Sequence, residues 1–448
     1  MRISLVLAGG VLTMTFGTVA HAQTPPSAAV RAETAATGPV ALKPFNAAEV
    51  IADVRKIYNE RYVLPEMRPK IDAKLKAGLD SGRYRTGDPA LLAERVNADL
   101  REVANDGHLN IRYNPAGVTA NMRAGATPGD RAALERRDRD RNYGFAEMKV
   151  LPGNIRYLAI PSFGWGGPDA AAAIDSAMAF LAQGDAVIID LRKNGGGQGP
   201  AVTQAISQFV APETPLISFR RGDEQSPLIT SRPGLSKMVG KPLYVLTSGE
   251  TASAGEEFAG HVAGYRLGEI VGDATAGAAF MNSIHGLDSG FEVSVSEARP
   301  VLASTGGDWE RVGIAPTIKV DPMIALEVAQ AHALRKLAKS APAEIGKSFE
   351  EMAAGYDMLA RPRVAVSDPD RYVGSYGDRV VSFDGTSLWI RQDRRMPRKL
   401  VALGGDRFTF EESPGIQARF EVKANRAVAI ELGQPGGPMQ SKVERSGG

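Results

Sequence analysis

The passage from Pro242 to Val262 constrains this chain more than any other. Pro242-Leu243-Tyr244-Val245-Leu246 is a short apolar run rich in β-formers, Thr247 to Ser253 are mostly small or hydroxyl-bearing, and Ala254, Phe258 and Val262 recur at helical spacing. That order predicts a strand, a tight turn and a helix. A second run, Ala186-Val187-Ile188-Ile189-Asp190-Leu191, is apolar almost throughout, as a strand covered on both faces must be. Together they predict an α/β core. Ser253 falls at the start of the helix, where free amides face a developing negative charge and Ala252, Ala254 and Gly255 leave room for a substrate backbone. Two readings stand at this point: Ser253 is a nucleophile, or Ser248, Thr251 or Ser253 caps the helix.

The apolar run at 186–191 ends in Arg192-Lys193-Asn194-Gly195-Gly196-Gly197-Gln198-Gly199. Consecutive glycines after a strand permit a turn with exposed amides, suited to a phosphate or an oxyanion. The turn lacks the Lys-Ser/Thr ending of a P-loop and the spacing of a dinucleotide fingerprint. An oxyanion site is therefore the better functional reading, beside a purely structural turn.

The chain opens with Met1-Arg2, an apolar stretch from Ile3 to Val19 and Ala20-His21-Ala22, the pattern of a secretory signal peptide cut after Ala22. No later run is long and apolar enough to span a bilayer, so a periplasmic or secreted location without stable membrane insertion is expected. The sequence contains no cysteine, which excludes disulfides, thiolate chemistry and cysteine metal sites. Its five histidines are scattered and suggest no metal cluster. A formal charge of +2 points to neither nucleic acid nor an anionic membrane as partner.

Residues 23–44 read as a flexible lead-in, and residues 45–109 as a helical segment, with Val50, Val54 and Ile57 on one helix face and Leu92, Val96, Leu100 and Val103 on another. The segment ends in the turn Asn105-Asp106-Gly107-His108, which places His108 where a loop enters a strand, either as a surface residue or held toward a cleft. The charge-dense stretch from Pro115 to Asn142 predicts a solvated helix or loop. Strands are expected at 146–150 and 155–160, then a helix at 168–181. Ala298–Leu302 and Gly313–Pro316 read as a strand pair bracketing Trp309-Glu310, and helices resume from Pro322 to Leu359. On its own, Glu310 is either an orienting carboxylate or an exposed loop acid. Beyond Pro362, residues 365–448 change to short strands and turns, an all-β accessory domain following a core at 110–360.

Asp106-Gly107-His108, Asp190-Leu191-Arg192-Lys193-Asn194-Gly195-Gly196-Gly197, Thr251-Ala252-Ser253-Ala254, Gly272-Asp273-Ala274-Thr275-Ala276-Gly277 and Trp309-Glu310, in that order, resemble the S41 family of serine peptidases. That family includes the C-terminal processing proteases, the tricorn core and the interphotoreceptor retinoid-binding protein repeats. The resemblance covers roughly residues 45–337 and implies a ClpP/crotonase-like α/β fold and cofactor-free acyl transfer on a peptide or unfolded protein. Two catalytic arrangements occur in the family. The lysine of the Ser-Lys dyad would lie near Thr275-Ala276-Gly277, where this chain has Ala278 and no lysine between Lys241 and Lys319. The resemblance therefore implies Ser253, His108 and Glu310 as a triad, with oxyanion donors from Gly196, Gly197 and Ala254. His261, two helical turns from Ser253, is a poor base, and His285, in a loop after Gly277, is a minor rival. Thr317 stands where members usually carry an acid after Pro316. A carrier of lipid or peptide on the same fold, or an esterase, are the competing readings.

Overall fold

The computed structural model of the chain describes residues 42–448 except 105, 123–135, 137, 223, 362–363, 434–441 and 447–448. The expected signal peptide, nearly all of the lead-in, the middle of the charged stretch and Pro362 lie outside the described residues.

The core is a sheet of six strands in the order β12 (Ile318–Lys319), β9 (Glu269–Gly272), β8 (Leu243–Thr247), β4 (Ala186–Asp190), β3 (Ile155–Ala159) and β2 (Glu147–Leu151). All neighbours are parallel except the β2–β3 pair. The continuous apolar character of β4 follows from its place at the centre of this sheet. Val187 and Ile189 face one layer with α5 (Pro168–Ala182), α6 (Gly199–Ile206) and α7 (Ala254–Gly264). Ala186 and Ile188 face the opposite layer with α8 (Ala325–Ala338) and α9 (Ala343–Leu359). Both faces need apolar side chains, so the two-residue alternation of a half-exposed strand is absent.

A second sheet is built on the long strand β11 (Phe291–Leu302), which pairs with β1 (Asn110–Tyr113), β10 (Met281–Gly286) and β5 (Pro215–Arg221). Its apolar side chains Phe291, Val293 and Val295 share a core with α1 (Ala47–Arg61), α2 (Arg68–Asp80) and α3 (Pro89–Ala104). The pairing expected between 298–302 and 313–316 is not formed. Residues 299–302 pair antiparallel with β5, and 313–316 form no strand. Gly313, at φ +68, turns there so tightly that a Cβ would lie 2.3 Å from the Thr275 carbonyl oxygen, which rules out an extended ladder. His285 lies on β10, not in a loop.

The C-terminal strands close into a barrel, β13 (Gly374–Tyr376), β14 (Arg379–Phe383), β15 (Leu388–Gln392), β16 (Arg398–Gly404), β17 (Arg407–Phe410), β18 (Ser413–Lys423), β19 (Arg426–Gly433) and β20 (Val443–Ser446). Tyr372, Tyr376, Phe408 and Phe420 fill its interior with ring contacts. The barrel packs on α9: a Cβ on Gly355 would lie 2.2 Å from the Pro414 carbonyl oxygen, and Val401 of β16 belongs to the α8–α9 core.

Candidate functional site

Ser253 occupies the turn between β8 and α7. Its backbone sits at φ 51°, ψ −117°, a conformation that a residue with a side chain adopts only under constraint, at a cost of order 1–3 kcal/mol. The constraint is visible. Thr251 Oγ1 donates to the Leu191 carbonyl at 2.8 Å and Ser248 Oγ to that of Arg192 at 2.5 Å, tying the turn to the end of β4. The Ala252 amide donates to the Asn194 carbonyl at 2.9 Å. The Ser253 amide donates to Glu256 Oε2 at 2.9 Å. Glu256 is fully buried and also accepts from Thr275 Oγ1 at 2.6 Å, Gly277 N at 2.6 Å and Ala278 N at 2.8 Å. Four donors thus satisfy a buried carboxylate that forms no ion pair with a cation among the described residues.

The glycine turn lies directly against this strained serine. Gly196, at φ +112, would bring a Cβ to 2.9 Å from Ser253 Cβ, so no side chain fits there. Its amide, however, donates to Asn194 Oδ1 at 2.8 Å, while Asn194 Nδ2 holds the Ile160 carbonyl at 2.7 Å. The expectation of Gly196 as an oxyanion donor is therefore corrected: the buried Asn194 side chain already uses that N–H. The amides of Gly197 and Ala254 have no acceptor among the described residues. Ser253, Ala254 and Gly197 all line one cavity of about 520 Å³.

His108 and Glu310 approach from the other sheet. Asp106, buried beneath β11, accepts the His108 amide at 2.8 Å on Oδ1 and Ser296 Oγ at 2.7 Å on Oδ2. His108 Nδ1 is buried, has no hydrogen-bond partner among the described residues and lies 3.8 Å from Asp106 Oδ1. Glu310 accepts the amides of Ala279 at 2.8 Å and Phe280 at 3.2 Å on Oε2. Burial and the neighbouring Asp106 charge push its carboxyl up to about 7, against the pull of those amides and of Arg311. Four consecutive amides therefore divide between two acids, 277 and 278 to Glu256 and 279 and 280 to Glu310. No hydrogen bond joins Ser253 to His108 or His108 to Glu310 among the described residues.

His285 binds Glu297 at 2.7 Å, and His261 is fully buried in α7. Thr317 accepts the Ile270 amide at 2.9 Å and donates to Glu269 at 2.5 Å, so a hydroxyl at position 317 fastens the start of β12 to β9. Sequence reasoning missed the parts played by Glu256, Asn194 and Asp106. Glu256 had a readable signal, since a serine followed three residues later by glutamate at a helix start is capping-box spacing. Among the described residues no His/Asp/Glu group is arranged to hold a metal ion, and no helix is long and apolar enough to cross a membrane.

Comparison with known proteins places these elements in a family. Residues 154–320 match the model of peptidase family S41, and residues 40–136 match that of the N-terminal domain of peptidase S41 in eukaryotic IRBP. The chain is 32% identical over 139 residues to a chloroplastic C-terminal processing peptidase of Tetradesmus obliquus, covering 31% of this chain and 29% of that one. It is 27% identical over 179 residues to the carboxy-terminal processing protease CtpB of Bacillus subtilis, covering 39% and 36%. The matches therefore span little more than a third of these relatives' lengths at most. Among solved structures, the photosystem II D1 C-terminal processing protease matches with a TM-score of 0.41 at 17% identity, covering 63% of this chain and 95% of that one. The tricorn protease matches with a TM-score of 0.41 at 11% identity, covering 69% and 36%. With the helical N-terminal segment and the parallel-sheet core each matched by a model of the same family, and more than half of its length spanned by the two, the chain belongs to peptidase family S41.

Proposed function

We propose that this chain is an exported serine endopeptidase working through Ser253, His108 and Glu310. The observation that carries the reading is Ser253 itself, held at a strained φ by a fully satisfied buried clamp beside two amides with no other acceptor. Strain of this kind persists only where surrounding structure enforces it, and a strand-to-helix turn with a serine at its apex is how hydrolases expose a nucleophile.

In the proposed reaction, His108 takes the proton of Ser253 Oγ as that oxygen bonds to a peptide carbonyl carbon. It then gives the proton to the leaving amine as the C–N bond breaks. Water, deprotonated by the same imidazole, releases the acyl group. The tetrahedral oxyanion is received by the Gly197 and Ala254 amides, at about 3–4 kcal/mol per donor in comparable sites. Glu310 supplies the acceptor that His108 Nδ1 lacks and stabilises the imidazolium. That no hydrogen bond joins Ser253 to His108 among the described residues is compatible with a site whose catalytic hydrogen bonds tighten when substrate binds. The Met1–Ala22 pattern supports export.

Incubating the purified chain with a peptide library and sequencing the new termini tests the reading. New ends are expected with the wild-type protein and none with Ser253→Ala. Bound but uncut peptide would favour a carrier, and turnover of esters alone an esterase.

A further inference from the structure

The walls of the 520 Å³ cavity beside Ser253 are largely apolar, with Ile217, Phe219, Phe280, Met281 and Trp309 among them. One acidic side chain lines it among the described residues, Glu257, on the first turn of α7. Glu256 and Glu257 are adjacent but have opposite fates: the first is saturated by four donors, and the second points to the cavity. The Glu257 side chain is 9% exposed. Gly199, which lines the same cavity, leaves it uncovered, since even a Cβ there would lie 3.9 Å from Glu257 Oε2.

No lysine or arginine forms an ion pair with Glu257 among the described residues. His261, one turn further along α7, has its Nε2 at 3.8 Å from Glu257 Oε1, beyond hydrogen-bond distance, and neither ring nitrogen has a partner. Arg232 also lines the cavity, but its guanidinium lies over the Trp165 ring, 5.2 Å from the centroid. A carboxylate this buried among apolar walls is costly unless a cation meets it. A lysine or arginine side chain offers that cation on a methylene stem able to lie along apolar walls.

We propose that Glu257 makes this cavity a specificity pocket for a basic residue, the one whose carbonyl Ser253 attacks. The proposal rests on the serine-peptidase reading and names its substrate class. The test compares two peptidyl diphenyl phosphonates, identical except that one carries lysine and the other norleucine, which lacks only the ammonium group. Serine Oγ bonds to phosphorus and phenol leaves, so labelling of Ser253 is read by mass spectrometry without a peptide bond being cut. The lysine probe is expected to label the wild-type chain at least about tenfold faster, and the lysine-to-norleucine ratio to collapse toward one in Glu257→Gln. Equal rates, or faster norleucine labelling, in the wild-type chain would overturn the proposal and leave the nucleophile in place. A ratio unchanged in Glu257→Gln would overturn it too. If that variant did not fold, the wild-type ratio would decide alone. Failure of both probes and of a small fluorophosphonate to label Ser253 would instead remove the peptidase reading, and this proposal with it.

Discussion

Around Ser253, Glu256 takes four donors, two of them the Gly277 and Ala278 amides, while around His108 a buried ring nitrogen has no partner and Glu310 uses one oxygen on the next two amides. The same four-residue stretch serves both sides. The difference teaches where the fold invests in fixed geometry. On the proposed reading, the nucleophile Ser253 needs a backbone angle that nothing but enforcement maintains, so the polar groups around it are spent on one another. The proposed base, His108, must gain and lose a proton, and it sits in a region with the Glu310 carboxyl pushed up to about 7 and an imidazole nitrogen that no described residue uses.

Removing the proposed nucleophile separates the chemistry from both scaffolds. Ser253→Ala is expected to lower kcat on a peptide substrate by roughly 10⁵-fold or more while barely moving the thermal transition, because one hydroxyl contributes little to a core. Substantial residual turnover, measured after exclusion of contaminating protease, would detach the strained turn from catalysis.

The next effect tests the histidine side. Glu310→Gln is expected to lower kcat by about 10²- to 10⁴-fold without loss of stability at pH 8. In the wild-type chain the folded carboxyl titrates at about 7, above its ordinary unfolded value, so between those values the folded state binds the extra proton. Its contribution to stability is therefore present at low pH and is lost as pH rises through about 7, whereas activity rises over the same interval as Glu310 becomes charged. Unfolding curves and rate profiles from pH 5 to 8.5 check both signs. The Gln variant should lose this component of each slope.

A change on the serine side should behave in the opposite way. Glu256→Gln puts an amide donor among four donors, so a fall in stability of about 2 kcal/mol or more is expected together with a slower reaction. Chemical denaturation would read the first, and an unshifted midpoint would mean the clamp is dispensable. Smaller still is Thr275→Val, which deletes one donor to Glu256 and leaves the Ile314 amide without the hydroxyl it now binds at 2.7 Å, for about 1–3 kcal/mol.

Which features could be read in advance follows from the same contrast. Strand β4 and the β8–α7 turn are local patterns, an apolar run and a change of period, and both are where the sequence puts them. The closed barrel was legible only as scattered strands. Strand β16 has Leu400, Val401 and Ala402 apolar in succession because Leu400 faces the barrel interior while Val401 faces the α8–α9 layer, a partner that no local pattern names. Residues 313–316 look like a strand but serve a turn that braces Thr275. At the site, the glycines announced exposed amides, yet which amide stays free depends on Asn194, whose side-chain oxygen accepts from the amide two residues on. Charge on Glu310 was equally beyond reach, since it depends on burial and on Asp106, some two hundred positions away in the chain.

The most direct measurement is peptide mapping of the folded chain after reaction with a fluorophosphonate at several pH values. One adduct per chain is expected, on Ser253, forming faster as pH rises through about 7 and absent from Ser253→Ala. Modification of a different serine, or none at all in a preparation that still cuts peptides, would contradict the assignment of Ser253 as nucleophile.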